Sequence, residues 1–69
     1  MGDPRLGSRL KEIRTEAGLT QAELADRAGV SRKTVNTVEN GVFVPSTLLA
    51  LSLARALGTT VEGLFYLVE

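Results

Sequence analysis

LTQAELADRAGVSRKTVNTVENG, residues 19–41, decides the fold, because it spells two short helices and the tight corner between them with almost no residue to spare. Thr20 is a good N-cap, and Glu23, one turn further on, can reach back to its amide. The pair reads as a capping box that satisfies two otherwise orphan N–H groups. Leu19 before the cap and Leu24 inside the helix have the spacing of a hydrophobic staple, which fixes the angle at which the chain enters. The first helix is predicted to run to about Ala28. Gly29 follows where a positive φ is wanted, and Val30, Ser31 and Val35 repeat the order of staple, cap and staple partner for a second helix. A corner of about three or four residues is the length that joins the two helices of a helix-turn-helix at a steep angle.

Advancing each residue of the second helix by about 100° separates two faces. Val35 and Val38 mark the inward side. Opposite them fall Lys33, Asn36, Thr37 and Asn40, flanked by Arg32 and Thr34, so the outward side is polar, neutral or basic, and free of carboxylates. These side chains suit base edges in a major groove: Arg or Lys toward guanine, Asn toward adenine, a Thr methyl toward thymine. Face polarity alone fits a solvated helix equally well. The two caps and the short corner are what favour contact with DNA. Glu39 falls on the flank beside the valines, where an unpaired carboxylate is costly. Arg14, on the equivalent flank of the preceding helix, is the candidate partner; the other reading is a Glu39 that reaches into solvent.

Sixty-nine residues with no cysteine and no histidine make one domain, 1–69, with its helix-turn-helix at about 20–40 and a modest core. Without those residues there is no soft metal ligand, thiol nucleophile or imidazole base. The acids and hydroxyls are scattered over caps and surfaces, so no enzyme, metal or cofactor is expected. No apolar run is long enough to span a bilayer, and the opening MGDPRLGSR lacks the apolar centre of a signal peptide, which points to a cytoplasmic protein with no membrane partner. The formal net charge of zero is the strongest objection to nucleic-acid binding. Its distribution softens that objection. Residues 1–33 hold Arg5, Arg9, Lys11, Arg14, Arg27, Arg32 and Lys33 against five acids, and the remainder holds Arg55 against Glu39, Glu62 and Glu69. Folding can set a moderately basic face against an acidic one, with useful affinity requiring two copies.

Taken in order, Met1 to Pro4 read as disordered, with Pro4 suited to the first turn of a helix over about residues 5–17. Leu6, Leu10, Ile13 and Ala17 give that helix a core stripe, Gly18 stops it, and Arg9 and Lys11 read as solvated. After Asn40-Gly41 comes a hydrophobic loop, Val42-Phe43-Val44-Pro45, and then Ser46 as the cap of a helix over 47–57. Its inward positions by helical count are Thr47, Ala50, Leu51, Leu53, Ala54 and Leu57. Leu48 and Leu49 point the other way, as a contact surface or as leucines covered by Val42, Phe43 or the tail. Gly58 closes the helix and Thr60 caps a final turn over 61–65. In the tail, Leu64, Phe65, Tyr66, Leu67 and Val68 include a segment that favours a strand and needs a partner. That partner is the same segment of a second copy about a two-fold axis, or the chain's own core.

The string at 19–41, with Pro45-Ser46 and the ALG at 56–58, resembles the helix-turn-helix domain of the Cro/C1 repressor family, also called the xenobiotic-response-element type. Gln21, Ala25, Gly29, Val30, Ser31, Val35, Glu39, Asn40 and Gly41 all match, and the likeness runs from about Leu6 to Phe65. It implies an all-α, compact five-helix bundle, with a short C-terminal strand as an addition, whose third helix enters the major groove as part of a dimer on a palindromic operator. It assigns base contacts to Arg32, Lys33, Asn36 and Thr37, and phosphate contacts to Gln21, Ser31 and Asn40, with Gln21 also supporting the side chain at 32. It makes Arg14 and Glu39 an ion pair between the first and third helices. Val42 stands where many relatives have a basic residue, and Leu48 and Leu49 stand where relatives are often polar. Short relatives pair through the last helix and a following strand, which makes residues 64–69, with Leu48 and Leu49, the expected dimer interface.

Two functional readings follow. The first is a sequence-specific regulator of transcription, a repressor that binds double-stranded DNA as a homodimer. The second keeps the fold but binds protein through Val42, Phe43, Leu48, Leu49 and the tail, as an antitoxin or anti-repressor does; the neutral charge and the apolar loop favour it.

Overall fold

The computed structural model describes residues 2–68. Among them the elements run β1 (Leu6–Ser8), α1 (Leu10–Glu16), α2 (Gln21–Ala28), α3 (Arg32–Glu39), α4 (Thr47–Leu57), α5 (Val61–Leu64) and β2 (Phe65–Leu67). Five helices with a helix-turn-helix at their centre match the expected architecture. The capping box of α2 is complete: the Thr20 hydroxyl accepts from the Glu23 amide at 3.0 Å, and the Thr20 amide donates to the Glu23 carboxylate at 2.9 Å. Gly29 ends α2 at φ 71°, a left-handed conformation that a side chain would strain. Ser31 then caps α3 by accepting from the Thr34 amide. Only residues 29–31 lie between the two helices.

The core is filled from every helix. Leu10, Leu24, Val35, Leu53 and Leu64 are fully buried, with Val38, Ala25, Ala50, Ala54 and Phe65 around them. α2 packs on α3 and α4, α5 on α4, and α1 on α3.

The N-terminal segment departs from the expected helix over 5–17. Asp3-Pro4-Arg5-Leu6 is a β-turn, its Leu6 amide donating to the Asp3 carbonyl at 3.0 Å, with proline at the second position where its fixed φ suits a turn. The Asp3 carboxylate takes the Arg5 amide at 2.9 Å and its guanidinium at 2.7 Å, which fixes the turn where a disordered segment was expected; Met1 lies outside the described residues. Residues 6–8 are a strand, and α1 starts only at Leu10. Leu6 still packs on the core, from the strand, whereas Ala17 is exposed after the end of α1.

β1 pairs with β2 antiparallel in the register Leu6↔Leu67, Gly7↔Tyr66, Ser8↔Phe65. The Arg9 amide bonds the Leu64 carbonyl and the Val68 amide the Arg5 carbonyl, both at 2.7 Å, which closes the ladder at each end. The C-terminal strand therefore finds its partner within its own chain. Gly7 makes this possible: a Cβ there would lie 2.3 Å from ring carbons of Tyr66, whose ring covers the glycine with the Arg9 guanidinium 4.9 Å from its centroid.

Candidate nucleic-acid interface

α3 is positioned by its valines and oriented by its polar flank. Val35 and Val38 are buried, while Arg32, Lys33, Asn36 and Asn40 are exposed and Thr37 is half-buried. Eight residues make a rod about 12 Å long, comparable to the width of a major groove, roughly 12 Å. Its first turn contains no acid and two cations, Arg32 and Lys33. Cations at a helix N-terminus oppose the macrodipole, a small local cost that an anion docked there would offset. A shallow cleft between α2 and α3 is lined by Gln21, Arg32, Lys33 and Asn36.

The one carboxylate of α3 is taken out of play. Arg14 Nε donates to Glu39 Oε2 at 2.6 Å, Arg14 Nη2 to Oε1 at 3.2 Å, and Arg14 Nη1 to the Leu19 carbonyl at 2.8 Å. The Glu39 side chain is 1% exposed and that of Arg14 10%, so the pair is withdrawn from water and ties α1 to α3 and to the entry of α2. The face that α3 turns outward is left neutral to basic.

Gln21 extends this network. Its Nε2 donates to Glu39 Oε1 at 3.0 Å and to Asn36 Oδ1 at 3.2 Å. Asn36 Oδ1 also accepts from Asn40 Nδ2 at 3.2 Å. Gln21 thus supports the side chain at 36 rather than the one at 32. Thr37 donates its hydroxyl to the carbonyls of Lys33 and Thr34, which uses its one hydrogen within the helix and leaves its lone pairs to accept. The Ser31 hydroxyl is engaged with Thr34, at both its amide and its hydroxyl.

The residues expected at a dimer interface divide. Leu64 and Phe65 belong to the core of their own chain, so these two do not present free side chains to a partner, and Leu49 is half-buried against that core. Leu48, Tyr66, Leu67 and Val68 are exposed. Leu51, expected inward, is 53% exposed. The buried stripe of α4 is Ala50, Leu53 and Ala54, with Leu57 partly covered, and Leu51 lies to one side of it. Leu51 and Val44 line one apolar groove with Leu6, Val61 and Phe65, and Val44 shares a second with Leu67. Phe43 packs on the core and Val42 is exposed.

Comparison with known proteins agrees with this fold. A helix-turn-helix family model matches residues 10–64. An uncharacterised HTH-type transcriptional regulator of Methanothermobacter thermautotrophicus is 49% identical over 61 residues, 87% of this chain and 88% of that protein. The crystal structure of the restriction-modification controller protein C.AhdI from Aeromonas hydrophila superposes with a TM-score of 0.76 at 41% identity, over 78% of this chain and 82% of that one. SinR, the master regulator for biofilm formation, solved in complex with DNA, superposes with a TM-score of 0.74 at 29% identity, over 78% and 87%.

Proposed function

The chain belongs to the Cro/C1-type helix-turn-helix family of DNA-binding transcriptional regulators, and from that premise we propose that it acts as a homodimeric repressor, laying α3 into the major groove of a palindromic operator. The observation that carries this reading is the outward face of α3, where Arg32, Lys33, Asn36, Thr37 and Asn40 stand without a free carboxylate among them. Arg32 and Lys33 reach bases from the first turn, Asn36 and Thr37 one turn further on, and Asn40 and Ser31, with the backbone amide of Gln21 at the start of α2, grip phosphates. Occupying the operator is enough to exclude a polymerase, so repression in the cytoplasm needs binding and no catalysis.

A neutral protomer binds phosphates weakly, and two protomers double the contacts. The exposed apolar residues Leu48, Leu51, Val44 and Leu67 supply a surface on which two copies meet. That same band favours a second reading, a module that binds another protein through Val42, Val44, Leu48 and Leu51.

Selection of bound duplexes from a random pool tests the first reading, with a salt series on the winner. A palindromic consensus and a steep fall of log affinity with log salt are expected. On that consensus, Arg32→Ala is expected to relax choice at one base pair by about 1–3 kcal/mol, while Ser31→Ala, at a phosphate anchor, weakens all sequences alike. No enriched sequence, together with a flat salt response, selects the second reading instead.

A further inference from the structure

The network around Gln21 assigns a polarity to the amide of Asn36, and we propose that it makes Asn36 a donor-only reader that selects guanine. The inference rests on the docking of α3 proposed above. Its origin is the Glu39 carboxylate, paired with the Arg14 guanidinium. A carboxylate can only accept, so the Gln21 atom at 3.0 Å from Glu39 Oε1 is the amide nitrogen. The second hydrogen on that nitrogen points to Asn36, at 3.2 Å, which must answer with its oxygen. Asn40 donates to the same oxygen from the other side, at 3.2 Å. Both lone pairs of Asn36 Oδ1 are then used inside the protein, and the exposed edge of the side chain carries only the two N–H bonds of Nδ2.

Base edges respond to that polarity. Adenine offers an acceptor and a donor side by side, and the usual asparagine contact answers both with its oxygen and its nitrogen. Asn36 has no oxygen left for the adenine amino group. Guanine presents two acceptors, O6 and N7, which two donors satisfy together, and cytosine presents a donor that meets a donor. The order expected at the base pair under residue 36 is therefore guanine first and cytosine last, with adenine below guanine. Gln21 acts here as a positioning residue: without it one lone pair of Asn36 returns to the groove and adenine regains its second bond.

The test is a binding panel on the selected operator. Asn36→Ala first locates the base pair whose identity ceases to matter, and the four alternatives at that position are then measured with the wild-type protein and with Gln21→Ala. Wild type is expected to favour guanine over adenine by about 5- to 150-fold, the range of one good bidentate contact, and Gln21→Ala to reduce or invert that ratio. The readout is the ratio, so a uniform loss of affinity from a missing phosphate contact at Gln21 does not enter it. Wild-type preference for adenine or cytosine, or a ratio unmoved by Gln21→Ala, overturns the assignment. So does an Asn36→Ala variant that flattens no position on a consensus that Arg32→Ala still disturbs, and in that case the docking of α3 stands. Failure of the wild-type protein to select any sequence is the separate result that removes the docking itself, and the inference with it.

Discussion

Replacing Arg14 with alanine is expected to cost the fold more than any surface substitution. The change leaves the Glu39 carboxylate, its side chain 1% exposed, with the Gln21 amide as its remaining partner. It also frees the Leu19 carbonyl, which receives Arg14 Nη1 at 2.8 Å. Removing one member of a buried pair costs about 3–5 kcal/mol. A domain of this length has roughly 3–10 kcal/mol in total, at about 0.05–0.15 kcal/mol per residue. The midpoint of thermal unfolding should therefore fall by about 12 °C or more, at about 4–8 °C per kcal/mol for small domains. Glu39→Ala should cost less, because Arg14 keeps the Leu19 carbonyl and a long stem that can carry its charge outward. The double change Arg14→Met with Glu39→Leu removes both charges and is expected to recover most of the loss. Urea titrations followed by circular dichroism, at one protein concentration, give all three values. An Arg14→Ala variant within about 1 kcal/mol of wild type, or a double variant as poor as the two single losses added together, would show that the pair is not withdrawn from water as described.

Three further outcomes are expected. Gly7→Val places atoms where the Tyr66 ring sits, so the amides of Arg9 and Val68 should exchange with solvent faster while those of Leu24 and Val38 keep their protection, as read by hydrogen exchange. The Thr20 amide, with its hydroxyl, holds the Glu23 carboxyl below the ordinary glutamate range, so the folded state binds that proton later than the unfolded one. Its stabilisation is complete above the ordinary glutamate value and is lost as pH falls through the lower folded value; wild type should thus lose stability more steeply than Glu23→Gln as pH falls below the ordinary glutamate range. Asp3, lowered to about 2 by the Arg5 guanidinium, titrates later and equally in both proteins. Leu51→Glu should leave the helical content unchanged and shift sedimentation from dimer to monomer; an unchanged sedimentation profile removes Leu51 from the proposed interface.

What the sequence made legible was local. The caps at Thr20, Ser31, Ser46 and Thr60 and the left-handed stops at Gly18, Gly29 and Gly58 lie within a few residues of what they control, so their chemistry can be read without knowing the fold. The Arg14–Glu39 contact joins distant residues, yet a charged group on a mostly apolar flank narrows the choice of partner. The N-terminal strand was hidden because the spacing of Leu6, Leu10 and Ile13 is that of a helix, and only pairing with Phe65–Leu67 makes residues 6–8 extended. Asp3-Pro4 followed by Gly7 was the available signal for a turn and a break. Leu51 was misplaced because a stripe drawn from apolar residues alone came out wider than the contact that α2 and α5 make with α4. The support given by Gln21 to position 36 rather than 32 depends on side-chain reach between two helices, which residue spacing does not encode.

The pairing of residues 6–8 with residues 65–67 also orders events in time. Every contact between α2 and α3 spans a short loop and can close as soon as that segment exists, whereas the two-stranded sheet joins nearly opposite ends of the chain and closes the largest loop. Leu64 and Phe65, both core residues, arrive with the second of those strands. During synthesis the central corner can form while its hydrophobic underside stays open. The core closes only once the second strand clips onto the first, and a chain cut before residue 64 has a gap in its interior.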